Sequence, residues 1–169
     1  MHDLPVELYG ASILREKAAA VVAFDRVLAD LVQAMFRTMY RAQGQGLAAP
    51  QVGKLLRVVV VDLPHEDSPA YALINPRIVE RGPLITRAEE GCLSLPGVTC
   101  FVERYDEVVV EAQEPSGCPV RIEAVGELAH CVQHELDHLD GILYLDHLST
   151  LQRHLVLKRY EKLSRRKRA

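Results

Sequence analysis

Residues 133–138 read QHELDH, which places His134 and His138 four apart with Glu135 directly after the first histidine. On a helix that spacing brings both imidazoles to one face, where they can close on a single cation while the carboxylate at i+1 stands beside it. The chemistry this suits is metal-assisted hydrolysis, with two neutral nitrogen ligands and a general base. A solvated helix carrying two His and a Glu would show the same letters. A catalytic centre of this kind needs three protein ligands and one open position, so a third donor must come from elsewhere in the chain.

Several side chains compete for that place. Cys131 shares the helical face, but it lies about 10.5 Å of axial rise from His138. That is too far for a cysteine to help span at metal–sulfur distances of about 2.3 Å, and Cys131 is expected as a small buried hydrophobe. HELDHLDGILY follows the longer H-E-x-x-H-x-x-G-x-x-H spacing of zinc proteases up to its last letter, where Tyr144 stands in place of the third His. Glu161 lies in a strongly basic segment. No two cysteines have C-x-x-C spacing, which argues against a structural zinc knuckle. Cys118, in EPSGCPV, is expected at an exposed hairpin turn, and Cys100, in VTCFVE, alternates like a strand residue. Cys92 lies in EEGCLSLPG, expected as an irregular loop because Gly91 frees the backbone and Pro96 and Gly97 stop regular structure. Spacing alone does not choose among these cysteines.

The elements that must position these groups read as α+β. Residues 25–43 repeat apolar side chains at helical spacing (Val27, Leu28, Leu31, Val32, Met35, Phe36, Met39, Tyr40), with Asp25 as N-cap and Gly44 as the C-terminal stop. The run at 55–63, LLRVVVVDL, reads as a buried strand. YALINPRIVE, FVERYDEVVVEAQ and PVRIEAV alternate like further strands, the last two joined by a PSGC turn. The metal helix spans 126–140, and a closing helix follows from about Thr150, with Leu151, Leu155 and Leu157 as its packing side. Between the first helix and the first strand, GQGLAAPQVG at 44–53 carries little side chain, so another backbone or a ligand can approach closely there, and Gln51 offers an amide donor.

Taken in order, GQGLAAPQ, EGCLS and HELDH resemble the three marker motifs of the peptide deformylases. The likeness runs from about Leu4 to Ser149 and includes LINP at 73–76 and DHLDGILYLDHLS at 137–149. It implies a single α+β domain, mainly antiparallel sheets around a central metal-binding helix with a C-terminal helix. Residues 1–150 would form the catalytic part and 151–169 the closing helix and basic tail of the same domain. It implies Cys92 as the third ligand beside His134 and His138, Glu135 as catalytic base, and the backbone N–H of Leu93 with the side chain of Gln51 as donors to an oxyanion. It further implies substrate contacts from Gly44, Gln45, Gly46 and Arg104, with Glu90 and Asp137 orienting the ligands. The ion implied is Fe2+, one per chain, for which Zn2+, Ni2+ or Co2+ can substitute, since a thiolate with two imidazoles suits all four. The activity implied is removal of the formyl group from formyl-methionyl nascent peptides with release of formate. Gln45 departs from the pattern, because the family carries an apolar residue there, beside the pocket for the substrate's first side chain.

The rest of the chain sets bounds. At 169 residues with 49% hydrophobic content and a net charge of −3, it is one ordinary globular domain. No run approaches 18 apolar residues, and MHDLPVELYG lacks the make-up of a signal peptide, so a cytoplasmic location with no membrane contact is expected. The four unpatterned cysteines suit a reducing compartment. Residues 151–169 hold eight Lys or Arg against one Glu, a charge asymmetry that suits contact with ribosomal phosphate as well as a solvated helix face. Two other readings stand beside the deformylase one, a metallopeptidase with a different third ligand and a non-enzymatic ribosome-binding module on the same metal fold.

Overall fold

The computed structural model describes residues 4–63 and 68–166. Helix α1, Arg26–Arg41, is capped by the Asp25 carboxylate, which accepts from Leu28 N–H. Its left-handed C-terminal residue is Gln43 (φ 55°) and not Gly44, one residue earlier than expected. The strands are β1 Gly46–Ala48, β2 Val58–Val61, β3 Tyr71–Arg81, β4 Ile85–Cys92, β5 Leu95–Tyr105, β6 Glu107–Gln113 and β7 Pro119–Val125. Helix α2, Gly126–Leu139, and helix α3, Thr150–Arg166, complete the order. An antiparallel five-stranded sheet runs β1-β2-β3-β6-β7, and β4 and β5 form a separate hairpin.

Strand β2 shows why the apolar runs sit where they do. All four of its valines are buried, because alternate side chains enter different cores. Val59 and Val61 pack with Leu128, Val132, Leu136 and Leu139 of α2, while Val58 and Val60 pack with Leu28, Val32, Met35 and Met39 of α1. A third core joins Val98 and Val102 of β5 to Tyr144, Leu145 and, from α3, Val156 and Tyr160. Helix α2 therefore lies between the large sheet and the β4–β5 hairpin, and Gln133 ties it to that hairpin by exchanging hydrogen bonds with the Tyr105 backbone.

Several expectations are corrected. The β2 strand is shorter than 55–63, since Arg57 N–H already bonds to the Ala19 carbonyl outside the sheet. FVERYDEVVVEAQ is two strands in two sheets: Asp106 interrupts it, with its N–H on Leu84 O and its carbonyl accepting from Gly126 N–H. EEGCLSLPG is no loop but the tip of the hairpin, where Cys92 pairs with Leu95 around a two-residue turn. Pro96, Gly97 and Val98 are taken up in the register shift before Thr99. On α3 the packing side is Val156, Leu157, Tyr160 and Leu163; Leu151 (68% exposed) and Leu155 (57%) face away. No helix among the described residues is long and apolar enough to cross a membrane.

Candidate metal centre

Two elements converge on one point. The hairpin tip delivers Cys92, and α2 delivers His134 and His138 from one face; their donor atoms lie within 4.8 Å of one another. Cys92 Sγ is 3.3 Å from His138 Nε2. Cys92, and not Cys100, Cys118 or Cys131, is thus the sulfur that joins the two imidazoles. Burial pushes the Cys131 thiol well up, so it stays protonated, in keeping with a packing role.

The imidazoles are prepared for an ion. His134 Nδ1 lies 2.8 Å from Glu90 Oε2. Burial alone would raise Glu90, but hydrogen bonds from His134 and Arg104 hold it at about 2, so it can only accept and His134 must carry its proton on Nδ1. Against the downward push of burial, Cys92 and Glu90 raise His134 well above its ordinary pKa, so an ion held at Nε2 takes the place of a proton there. Burial drives His138 well below its ordinary pKa, which keeps it neutral. Tyr144, at the place where a protease would carry its third His, stacks near-parallel on the His134 ring at 6.1 Å and fixes its plane. A thiolate and two neutral imidazoles at this spacing fit a divalent transition ion.

Glu135 stands beside the donors. Burial raises it to about 7, and its Oε2 has no hydrogen-bond partner. Gly46 makes the room it occupies: a Cβ at position 46 would lie 2.5 Å from Glu135 Oε1. Gly44 does the same for Leu93, whose Cδ1 would meet a Cβ at 2.8 Å. Gln51 is 1% exposed, and its orientation is forced, since Oε1 accepts from Ala48 N–H at 2.8 Å. Its Nε2 must then point to the sulfur side, 3.5 Å from Cys92 Sγ and 3.3 Å from Ser94 Oγ. Glu135, His134, Cys92, Leu93, Gly44, Gln45 and Gly46 share the lining of one cleft of about 850 Å³.

Arg104 is placed differently from the expectation of a substrate contact. It is 6% exposed, it donates from Nε to Glu90 Oε1 (2.5 Å) and from Nη1 to Asp137 Oδ2 (2.8 Å), and it lines a separate cavity of about 510 Å³. With its donors turned to two carboxylates, it braces the groups behind His134. His147 closes the chain at the surface, 2.7 Å from Asp137 Oδ2. Ser94, His130, Glu127 and His147 were not singled out in the sequence. Glu127 and His130 carry a readable signal: with Cys131, His134, Glu135 and His138 they form one i, i+3, i+4 stripe along α2.

A buried carboxylate with a free oxygen beside a Cys-His-His donor set, at the end of an open cleft, defines a metal-dependent hydrolase on an α+β frame. The comparisons with known proteins agree. The family model described as polypeptide deformylase matches residues 4–154. Peptide deformylase 2 of Streptomyces coelicolor is 46% identical over 157 residues, covering 92% of this chain and 87% of that protein. Two solved structures are similar: a peptide deformylase from Legionella pneumophila (TM-score 0.92, 39% identity, 98% of each chain) and one from Synechococcus elongatus in complex with actinonin (TM-score 0.88, 40% identity, 92% of this chain and 86% of that one). The chain belongs to the polypeptide deformylase family, enzymes that remove the N-terminal formyl group from nascent peptides.

Proposed function

We propose that Cys92, His134 and His138 hold one divalent ion, Fe2+ in the cell, with Zn2+, Ni2+ or Co2+ as substitutes, and that Glu135 moves the protons of the reaction. The observation that carries this reading is the buried Glu135 carboxylate, raised to about 7 and with one oxygen unpartnered, next to the three-donor cluster. When bound, the ion supplies Lewis acidity at the carbonyl and a nucleophile at neutral pH. Glu135 takes the proton of the attacking water and returns it to the departing amine, so that the formyl carbon–nitrogen bond breaks to formate and a free N-terminus. Gln51 Nε2 and the Leu93 N–H donate to the oxyanion that forms on the way; the amide of Gln51 is already locked in direction by Ala48, so no reorganisation is needed. The backbone at Gly46, open for lack of a Cβ, bonds the peptide, and Gly44 and Gln45 border its first side chain. Glu90 and Asp137 orient the site from behind, with Arg104 between them.

Further proposals concern the setting. Residues 1–150 and 151–169 act as one domain in the cytoplasm on formyl-methionyl nascent chains, and the basic α3 face and tail contact ribosomal phosphate. The stretch 167–169 lies outside the described residues. Removal of residues 164–169 should weaken co-sedimentation with ribosomes in a salt-dependent way; unchanged binding removes that role.

Formate release from a formyl-methionyl peptide, measured anaerobically beside metal analysis, tests the central assignment. Glu135→Ala should keep metal and fold and lose about 10²- to 10⁴-fold in kcat. Gln51→Leu should lose about 10²-fold or more, equivalent to about 2.7–4 kcal/mol of barrier. Full activity of Glu135→Ala ends the assignment. Cleavage of unblocked peptides, with metal retained in Cys92→Ala, would favour a metallopeptidase instead.

A further inference from the structure

The cleft that ends at Glu135 also has a polar wall, made by Gln45, Thr86, Asp106, Glu127 and His130. The hydrogen bonds among these residues consume donors and leave acceptors. Gln45 Nε2 donates to Glu127 Oε1 at 2.8 Å. The Thr86 hydroxyl has one proton and gives it to Asp106 Oδ1 at 2.8 Å. At its 2.9 Å contact with His130 Nε2 it can therefore only accept. His130 is then the Nε2–H tautomer, and its Nδ1, without a hydrogen-bond partner, is turned inward to within 4.0 Å of Glu90 Oε1 in a side chain 7% exposed. Burial lowers the imidazole's pKa and keeps it neutral. Among the described residues, the cleft's charged lining is carboxylate, with no Lys or Arg, beside an apolar side that includes Leu93, Leu95 and Val98.

We propose that this wall makes the site selective for a formylated substrate whose first side chain carries a hydrogen-bond donor, a cation best of all, over the thioether of methionine. The inference rests on the deformylase reading of the same site and narrows it: formyl-methionyl chains are turned over, and chains whose first side chain brings a donor are turned over faster. An apolar chain lodged there would strip water from Glu127 and Asp106 and return no hydrogen bond. An amide or ammonium group restores bonds to them, and a site with polar groups set for a donor discriminates more strongly than an apolar pocket does. The anionic lining adds attraction for a cation. Gln45 Oε1, whose amide is held by Glu127, is a further acceptor at the rim.

The test is a series of formyl-X-Ala-Ser peptides in which X is Met, norleucine, Gln or Lys. Formate release gives kcat/KM on the metal-loaded wild type, and titration of the same peptides into full-length Glu135→Gln gives Kd. The Lys and Gln peptides should exceed norleucine by about 10-fold in both measures. Glu127→Gln, an isosteric change at an exposed residue, should cut the margin of Lys over Gln by about 3-fold and leave that of Gln over norleucine. The double variant Gln45→Ile/His130→Leu should turn the preference toward norleucine and Met. A wild type that binds and processes Met or norleucine best overturns the proposal. One that binds in the expected order yet frees no formate from any peptide overturns the hydrolytic assignment and supports the selectivity.

Discussion

Replacing Gly46 with alanine isolates one contact in the centre. The backbone at Gly46 is extended strand and is absent from the positive-φ glycines, so alanine needs no change of conformation there. The added methyl would lie 2.5 Å from Glu135 Oε1, 2.8 Å from its Cγ and 2.9 Å from Cys131 Sγ. Non-bonded carbon contacts settle near 3.5–4.0 Å, so about 1 Å of movement is required. Glu135 cannot swing out, being 4% exposed in the middle of α2, and Cys131 is one turn away on the same helix. Either Glu135 shifts or β1 withdraws with Gly46 and its peptide-binding backbone. A displacement of about 1 Å at a catalytic group costs on the order of 10²-fold in rate. Overpacking should cost about 1–3 kcal/mol, a fall in Tm of about 2–12 °C for a chain of this size. The assay is kcat and KM for a formyl-methionyl peptide, with metal content and thermal unfolding on the same preparation. Metal content should hold, because none of the three ligands is touched. Gly91→Ala is the control, since its Cβ would meet nothing nearer than Thr99 Cγ2 at 3.4 Å although it adjoins a ligand. A Gly46→Ala enzyme within about threefold of wild-type kcat and with unchanged Tm would refute the argument that Gly46 exists to seat Glu135.

Two further outcomes follow from buried and capped charges. Arg104→Leu leaves Glu90 and Asp137 without their shared cation and should destabilise by about 3–5 kcal/mol, lowering Tm by about 6–20 °C and weakening metal retention; Arg104→Lys should restore only part, because one ammonium cannot fork to both carboxylates. Asp146 is held below its ordinary 3.8, because the Arg15 pair and the Leu143 N–H outweigh the upward push of burial. Its contribution is therefore present above the unfolded-state pKa and lost as pH falls through the lower folded-state value. Asp146→Asn should lower Tm by about 2–4 °C at pH 7, a modest effect because the pair is partly exposed, and the gap to wild type should close on acidification. A pH-independent gap in thermal unfolding would contradict it.

The parts legible in the sequence are those whose cause is local. His134, Glu135 and His138 declare themselves because one helix face is a matter of counting, and α1 does so through its apolar stripe and Asp25 cap. Cys92 does not, since it stands 46 residues before His138 and reaches it only when the β4–β5 hairpin folds over α2. Gly91, Pro96 and Gly97 suggested a loop because they break regular structure, yet a hairpin with a register shift accommodates all three. The alternation through Tyr105 and Glu107 hid the change of sheet at Asp106, because both strands keep a period of two. Arg104 was expected against the substrate; the buried Glu90 and the partly buried Asp137 take up its donors, and neither adjoins it in sequence.

The same counting that finds the metal helix reaches further along it. Glu127, His130, Cys131, His134, Glu135 and His138 share one stripe, and five of the six are polar or ionisable beyond a thiol. A helix packed between a sheet and a hairpin would ordinarily put Leu or Val on such a face, as α2 does at Leu128, Val132, Leu136 and Leu139 on its other side. Polar groups on a buried stripe cost free energy unless partners meet them. Glu90 meets His134, and the cluster of three donors accounts for His138 Nε2, but His138 Nδ1, His130 Nδ1 and Glu135 Oε2 have no hydrogen-bond partner in the folded protein. A carboxylate oxygen left unmet where the cleft ends is therefore the sign that its occupant brings a hydrogen to be moved at Glu135.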